Sequence, residues 1–253
     1  MMKILRKTAI YILVAAFWLL IWQLLAFYTG AELILPSPLQ TAKACIELAK
    51  TTAFYKSALF SLIRIMTGFI SGVLLGVILG CLCAFSKMFD FLFSPMRNII
   101  KATPVSSFIL ILLFWLDRSL VPSYIAALIV LPVVHSGVYE GIKSTDVLLL
   151  EMADIYKVSK SKKLIYIYGE SVKSRLIAAA TTSLGLAWKA GVAAEVLATP
   201  KNAIGTALYE SKNYLETPQL FAWTILVILL SVILEKLIRF LLKVFHADRG
   251  IKL

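Results

Sequence analysis

Between Thr8 and Tyr28 the chain runs apolar for 21 residues, enough for a helix to cross the ~30 Å hydrocarbon core of a bilayer. Further apolar runs lie at about 62–85, 89–116, 120–141, 176–198 and 218–245. Across 253 residues, 60% are hydrophobic, whereas a soluble domain reaches only about 45–50% even with glycine counted. A soluble core of this size cannot hide so much apolar surface, because about a quarter of the chain's surface stays in water. Yet the net charge is +12, from 26 Lys+Arg against 14 Asp+Glu. Lipid takes up the first excess, and the gaps between spans take up the second. The expectation is an all-α membrane protein of about six transmembrane helices, one domain over residues 1–253. No repeat, low-complexity tract or second soluble domain is visible.

The basic N-terminus followed by an apolar run looks like the start of a signal peptide. The run exceeds the usual ~7–15 residues, and no small-x-small cleavage site follows. A retained first span is therefore expected. The third run is the weakest: it holds Pro95, Arg97, Lys101 and Pro104, leaving only Val105–Leu116 cleanly apolar. Six crossings place both termini on one side, and cations mark that side. Sixteen of the 26 Lys+Arg fall in the N-terminus, the 142–175 loop, the C-terminus and at Lys87. Seven of them lie in the one loop, and five (Lys236, Arg239, Lys243, Arg249, Lys252) at the C-terminus. Both termini and the 142–175 loop are expected in the cytoplasm. The charge thus follows topology and is no nucleic-acid footprint.

Within the second run, Gly68, Gly72, Gly76 and Gly80 recur every fourth position, followed by Ala84. Such small-residue ladders let helix backbones approach closely in lipid, where packing drives association. The contact could lie inside one subunit or between subunits. Residues 35–50 read as Leu-Pro-Ser-Pro followed by a short helix from Leu39 to Lys50, with Pro38 in its first turn.

The 142–175 loop is not a plain linker. Asp146 is a fair N-cap for a helix whose Leu148, Met152, Ile155 and Tyr156 share one stripe. A second short helix is expected from Ser161, carrying Leu164, Ile165, Ile167 and Tyr168. The pair either lies on anionic lipid or is a platform for a cytoplasmic partner.

Four basic residues sit inside runs: Arg64, Arg97, Lys101 and Lys189. Arg97 and Lys101, four apart, are expected to snorkel to headgroups. Lys189 lies mid-span beside Trp188, where a buried cation costs at least ~2.5–3.5 kcal/mol. It should line a polar pathway, favouring an anionic group, or pair with an acid on another helix. Glu195, six residues on, is not on its face. His135 is expected to be a hydrogen-bonded packing residue. Enzyme chemistry finds no support: His135 and His246 are the only histidines, and Cys45, Cys81 and Cys83 have no metal spacing. No phosphate-binding Gly-Lys-Ser/Thr loop occurs, so any ATP must be bound by a separate subunit.

Residues 151–167 resemble the EAA loop in membrane subunits of bacterial ATP-binding-cassette importers. Glu151, Ala153 and Ile167 match in register; Met152 stands for an alanine, Lys157 for the glycine, and Gly169-Glu170 for Leu-Pro. The turn at 157 must therefore be made by a lysine. Leu35-Pro36-Ser37-Pro38, the stretch from Ser61 to Phe69, and Leu184-Gly-Leu-Ala-Trp188 with Glu195 are similar to the nitrate/sulfonate/taurine-type permeases. The resemblance spans about 33–245. It implies a type I importer permease of the inner membrane, working as two copies with separate ATPase subunits and an external binding protein. Glu151, Met152, Ala153, Ile155, Tyr156, Lys157 and Ile167 would meet the ATPase, and Lys189, Trp188 and Glu195 would belong to the pathway. The family carries nitrate, sulfonates, taurine and bicarbonate, but also thiamine-pyrimidine precursors. An ion-coupled carrier or channel remains the rival, although the broken-helix repeats common in carriers are not evident.

Overall fold

The computed structural model describes residues 2–247 of the chain. Arg249 and Lys252 lie outside the described residues, as do the side chains of Lys3, Arg6, Lys7, Arg239, Lys243 and His246. Every regular element among the described residues is a helix. They are α1 (Met2–Thr29), α2 (Pro38–Ala49), α3 (Thr52–Phe85), α4 (Lys87–Ala102), α5 (Val105–Leu112), α6 (Val121–Lys143), α7 (Val147–Ile155), α8 (Lys160–Lys162), α9 (Gly169–Ala198), α10 (Ile204–Asn213) and α11 (Thr217–Ala247). Local chemistry sets several ends. Ser37 and Gln40 form a reciprocal capping box at α2, with Pro38 in the first turn as expected. Thr51 caps α3 by accepting from the Phe54 N–H.

Five helices are long and apolar enough to cross a membrane: Ile10–Thr29, Thr52–Phe85, Val121–Lys143, Lys160–Ala198 and Thr217–Ile238. The expected single span at 89–116 is instead two helices. Pro104 cannot donate to a continuing helix and holds Thr103 extended, at φ −81° and ψ 131°. The 16 residues of α4 rise about 24 Å, too short to cross alone.

The broken segment nevertheless carries the chain across. Gly68, Gly72, Gly76 and Gly80 meet α6 at Ser123, Ala127, Val134 and Val138 in turn, so α3 and α6 run parallel. Two parallel spans consecutive in the bundle require a return crossing between them. α4 supplies its first half: Phe93 packs on His135, near the Lys143 end of α6. α5 supplies the second half: Ile109 clusters with Val121, Ile125, Ala194 and Ala198 at the other end.

The glycine ladder therefore packs α3 on α6 within one subunit. A Cβ at Gly68 would sit 2.1 Å from the Ser123 carbonyl oxygen, and one at Gly76 2.8 Å from the Val134 Cβ. Small residues on α6 answer on its other side: Gly137 meets Ala179 and Gly141 meets Val172, both across to α9. The core between these three helices holds Ile65, Val130, Val134, Leu184 and Trp188. α11 runs antiparallel to α9, where the Trp188 indole N–H donates to the Val227 carbonyl at 3.0 Å. α1 stands apart. Its link to the bundle is Trp22, which donates to the Pro36 carbonyl at 2.9 Å and stacks on Phe221.

The loop after α6 differs from expectation in its second half. The helix expected from Ser161 is not separate. α8 passes through a π-helical stretch, Lys163–Tyr168, directly into α9, making one rod of 39 residues.

Gly68→Ala should lower the stability of the folded protein by roughly 1–3 kcal/mol, since backbone must move to admit the methyl group. Gly169→Ala, whose Cβ would meet only the Leu164 oxygen at 3.5 Å, should be neutral or stabilise by up to about 1 kcal/mol. Thermal unfolding midpoints of the two variants in detergent would check this ordering.

Candidate functional site

α7 is built to present an apolar stripe. Asp146 starts the helix by accepting from the Leu148 N–H at 2.9 Å. Ala153 is the residue of α7 that is buried against this chain. Leu148, Met152 and Ile155, with the capping Tyr156, all point away; Ile155 is 78% exposed and Tyr156 76%. Glu151 is exposed beside them. Such a patch is expensive to leave in water. The helix ends in a Schellman turn: the Lys157 N–H donates to Asp154 O and the Val158 N–H to Ala153 O, both at 2.9 Å. Lys157 takes the left-handed conformation there, at φ +49°. That is the conformation a glycine would hold without strain, and a lysine accepts it at a cost of roughly 1–2 kcal/mol.

α7 is joined to the bundle at both ends. At its start α7 follows α6 after a three-residue turn, in which the Ser144 and Thr145 hydroxyls both donate to the Gly141 carbonyl and close the end of α6. At its other end an Asp154–Lys163 ion pair ties it to the π stretch. Ile167, expected among the coupling residues, lies in that stretch and not on α7, half-buried. Beside it is an apolar cavity of 410 Å³ walled by Phe85, Phe89, Leu164 and Tyr168. α7 thus sits between the end of α6 and the α8–α9 rod.

Lys189, Trp188 and Glu195 do not converge. Trp188 is 1% exposed and packed between α9 and α11, so it closes the core and lines no open face. Lys189 is exposed on a neighbouring face of α9, about 100° round from Trp188, and no ion-pair partner meets it among the described residues. Glu195 is fully buried and points to α3. Its Oε2 accepts from the Ser61 hydroxyl at 2.7 Å and from the Gly205 N–H at 3.1 Å. Ser61 in turn accepts from the Ile204 N–H at 2.9 Å. Arg64, 3.7 Å from Glu195 Oε1, donates to the carbonyls of Lys201 and Asn202.

This clamp fixes the α9–α10 loop, where Thr199 and Asn202 hold positive φ. Gly205 is required in it, because a Cβ there would lie 2.4 Å from that of Glu195. Ser61 and Arg64 had no role assigned from the sequence. Their signal was available: two polar residues three apart on one helix face, at the start of an apolar run.

Arg97 and Lys101, expected to snorkel, find partners inside the chain. Arg97 lies 3.5 Å from Asp90, and the Lys101 ammonium donates to the Ser136 hydroxyl at 3.4 Å. His135 is packed as expected, between Phe93 and Tyr139. It is not hydrogen-bonded: among the described residues neither ring nitrogen has a partner.

Residues 72–248 match the family of binding-protein-dependent transport system inner membrane components. A Bacillus subtilis protein named as the aliphatic sulfonates transport permease SsuC is 22% identical over 232 residues, covering 91% of this chain and 84% of its own. Proteins named as ABC transporter permeases from Brucella melitensis and Brucella abortus are each 23% identical over 226 residues. Each covers 86% of this chain, and 88% and 86% of its own length respectively.

Glu195→Ala strands the Gly205 N–H, takes the acceptor from the Ser61 hydroxyl and removes the acid beside Arg64, and should cost about 3–5 kcal/mol. Glu195→Gln keeps an acceptor and should cost less. Thermal unfolding and protease cleavage at 199–203 would separate the two. Lys157→Gly should stabilise the α7 turn by up to about 1 kcal/mol, and Lys157→Val should weaken it; hydrogen exchange at Val158 reads this directly.

Proposed function

The chain belongs to the family of binding-protein-dependent transport inner-membrane components, ABC transporter permeases, and on that premise we propose that it forms the path of an importer for a small oxyanion such as an alkyl sulfonate. A separate ATPase subunit binds the ATP and grips α7. The observation that carries the coupling role is the uncovered stripe of Leu148, Met152, Ile155 and Tyr156 on a helix fixed at both ends. Apolar side chains at three- and four-residue spacing are what a groove on a partner takes up. A rigid unit passes on rigid-body motion, as closure of an ATPase pair requires. Glu151 is the polar anchor at the edge of that contact.

The cation bias supports an orientation with both termini and α7 in the cytoplasm. On that reading the opposite end of the bundle, with α10 and its clamped loop, faces the external binding protein. A 770 Å³ cavity there is walled by Thr51, Ser57, Lys201, Asn202 and Glu210, among others. Two copies would form the path. Lys189, on the uncovered face of α9, is the residue we place along it, with Trp188 and Glu195 holding that helix from behind. An exposed mid-span ammonium belongs against water or a second subunit, not against lipid. The sulfonate relative supports an anionic cargo, as does Lys189.

Two measurements test this. Met152→Asp with Ile155→Asp should reduce co-purification of the cognate ATPase subunit by at least about tenfold and leave the permease folded. Undiminished pairing would contradict the role of α7. Lys189→Met should cut ATP-driven uptake of an alkyl sulfonate into proteoliposomes by about tenfold, with assembly unchanged. Normal uptake would remove Lys189 from the path.

A further inference from the structure

The contact between α4 and α6 holds more polar chemistry than packing needs. Asp90, Arg97 and Lys101 from α4 meet His135, Ser136 and Tyr139 from α6. The contacts among them are all long. The Tyr139 hydroxyl donates to Asp90 Oδ2 at 3.3 Å, Arg97 reaches Ser94 at 3.4 Å and Asp90 at 3.5 Å, and Lys101 reaches Ser136 at 3.4 Å. Well-formed charge-assisted hydrogen bonds are shorter, about 2.7–2.9 Å. Apart from the 3.5 Å ion pair between Arg97 and Asp90 Oδ1, two groups of this cluster have no hydrogen-bond partner among the described residues. Asp90 Oδ1 accepts no hydrogen bond, and His135, 0% exposed, uses neither ring nitrogen. An unsatisfied buried polar group costs about 1–3 kcal/mol, so a ring with two idle nitrogens needs a reason.

The sign of the group narrows the ligand. Lys143 lies over the Tyr139 ring at 5.7 Å, so the group counts three cations against one carboxylate, Asp90. Glu140 is turned to Arg175 on α9 and does not offset them. A metal cation would be repelled. An oxyanion would meet a guanidinium and an ammonium one helical turn apart on α4, with spare N–H groups on both.

We propose that the polar cluster at the α4–α6 contact binds a small oxyanion between Arg97 and Lys101, with a ring N–H of His135 as the third donor. The site rests on the oxyanion reading above and gives that cargo a second station. Ten residues of α9 separate Lys189 from Ala179, the contact of Gly137, so the two stations stand about 15 Å apart along the bundle. The break after α4 suits such a site: a crossing made of two short helices can shift its halves separately and reseat Arg97 between Asp90 and the anion.

The test uses the full chain in zwitterionic lipid nanodiscs, without ATPase, so that it stands independently of α7. Histidine is labelled at the ring carbon, and His246→Gln assigns the two signals. Sodium nitrate and sodium methanesulfonate should each shift the His135 signal saturably, while sodium gluconate at equal sodium should not. Lys101→Gln, an exposed and foldable change, should raise the half-saturating concentration about tenfold. Arg97→Lys should retain the shift with weaker binding. No shift with either small anion, an equal shift with gluconate, or an unchanged response in Lys101→Gln would overturn the site. ATPase pairing that survives the α7 substitutions would sink the importer reading and leave this result standing.

Discussion

Close backbone contact between α3 and α6 governs the rest of the bundle. In lipid no hydrophobic effect pulls helices together, so the approach permitted by Gly68, Gly72, Gly76 and Gly80 supplies the packing energy. The contact also fixes direction. Because it runs in parallel register, the chain must return across the membrane between Phe85 and Val121. The sequence there, with Pro95 and Pro104, cannot make one straight helix. The broken α4–α5 crossing is the consequence, and α6 is left with its second face free for α9.

Function follows from what this arrangement leaves uncovered. α7 hangs between the end of α6 and the rod that becomes α9, so it is joined to two of the three core helices. Its Leu148, Met152 and Ile155, with Tyr156 at its end, stand exposed. At the other end, Glu195, Ser61 and Arg64 lock the α9–α10 loop to α3. On the proposed coupling role, a push on α7 would be carried along stiff elements to a fastened loop. A bundle joined by slack connections would absorb it.

Local signals in the sequence were readable, and long-range pairings were not. The spans, the α2 cap, the Asp146 cap and the α7 stripe all rest on residues within a few positions of one another. The ladder was legible as a packing signal, but its partner, α6, was not. Pro104 marked the weak third span without revealing that two short helices still cross. The union of α8 with α9 had no local mark, since Ser159-Lys160 reads as readily as a fresh helix start. Lys157 was out of line with the family's glycine, yet the backbone takes the glycine conformation anyway. Glu195 lies 134 positions from Ser61, and no periodicity could join them. Nor could it tell that Trp188 faces inward while its neighbour Lys189 faces out.

The parallel pairing of α3 and α6 is best tested by single-cysteine labelling in intact cells, after replacing Cys45, Cys81 and Cys83. Cysteines at Ser86 and at Arg118 would be challenged with a membrane-impermeant maleimide. They flank the broken crossing, so a parallel pair places them on opposite sides. Arg118→Cys is expected to label from outside, and Ser86→Cys only after the membrane is opened. Labelling of both from the same side would contradict the crossing, and with it the register of the glycine contact.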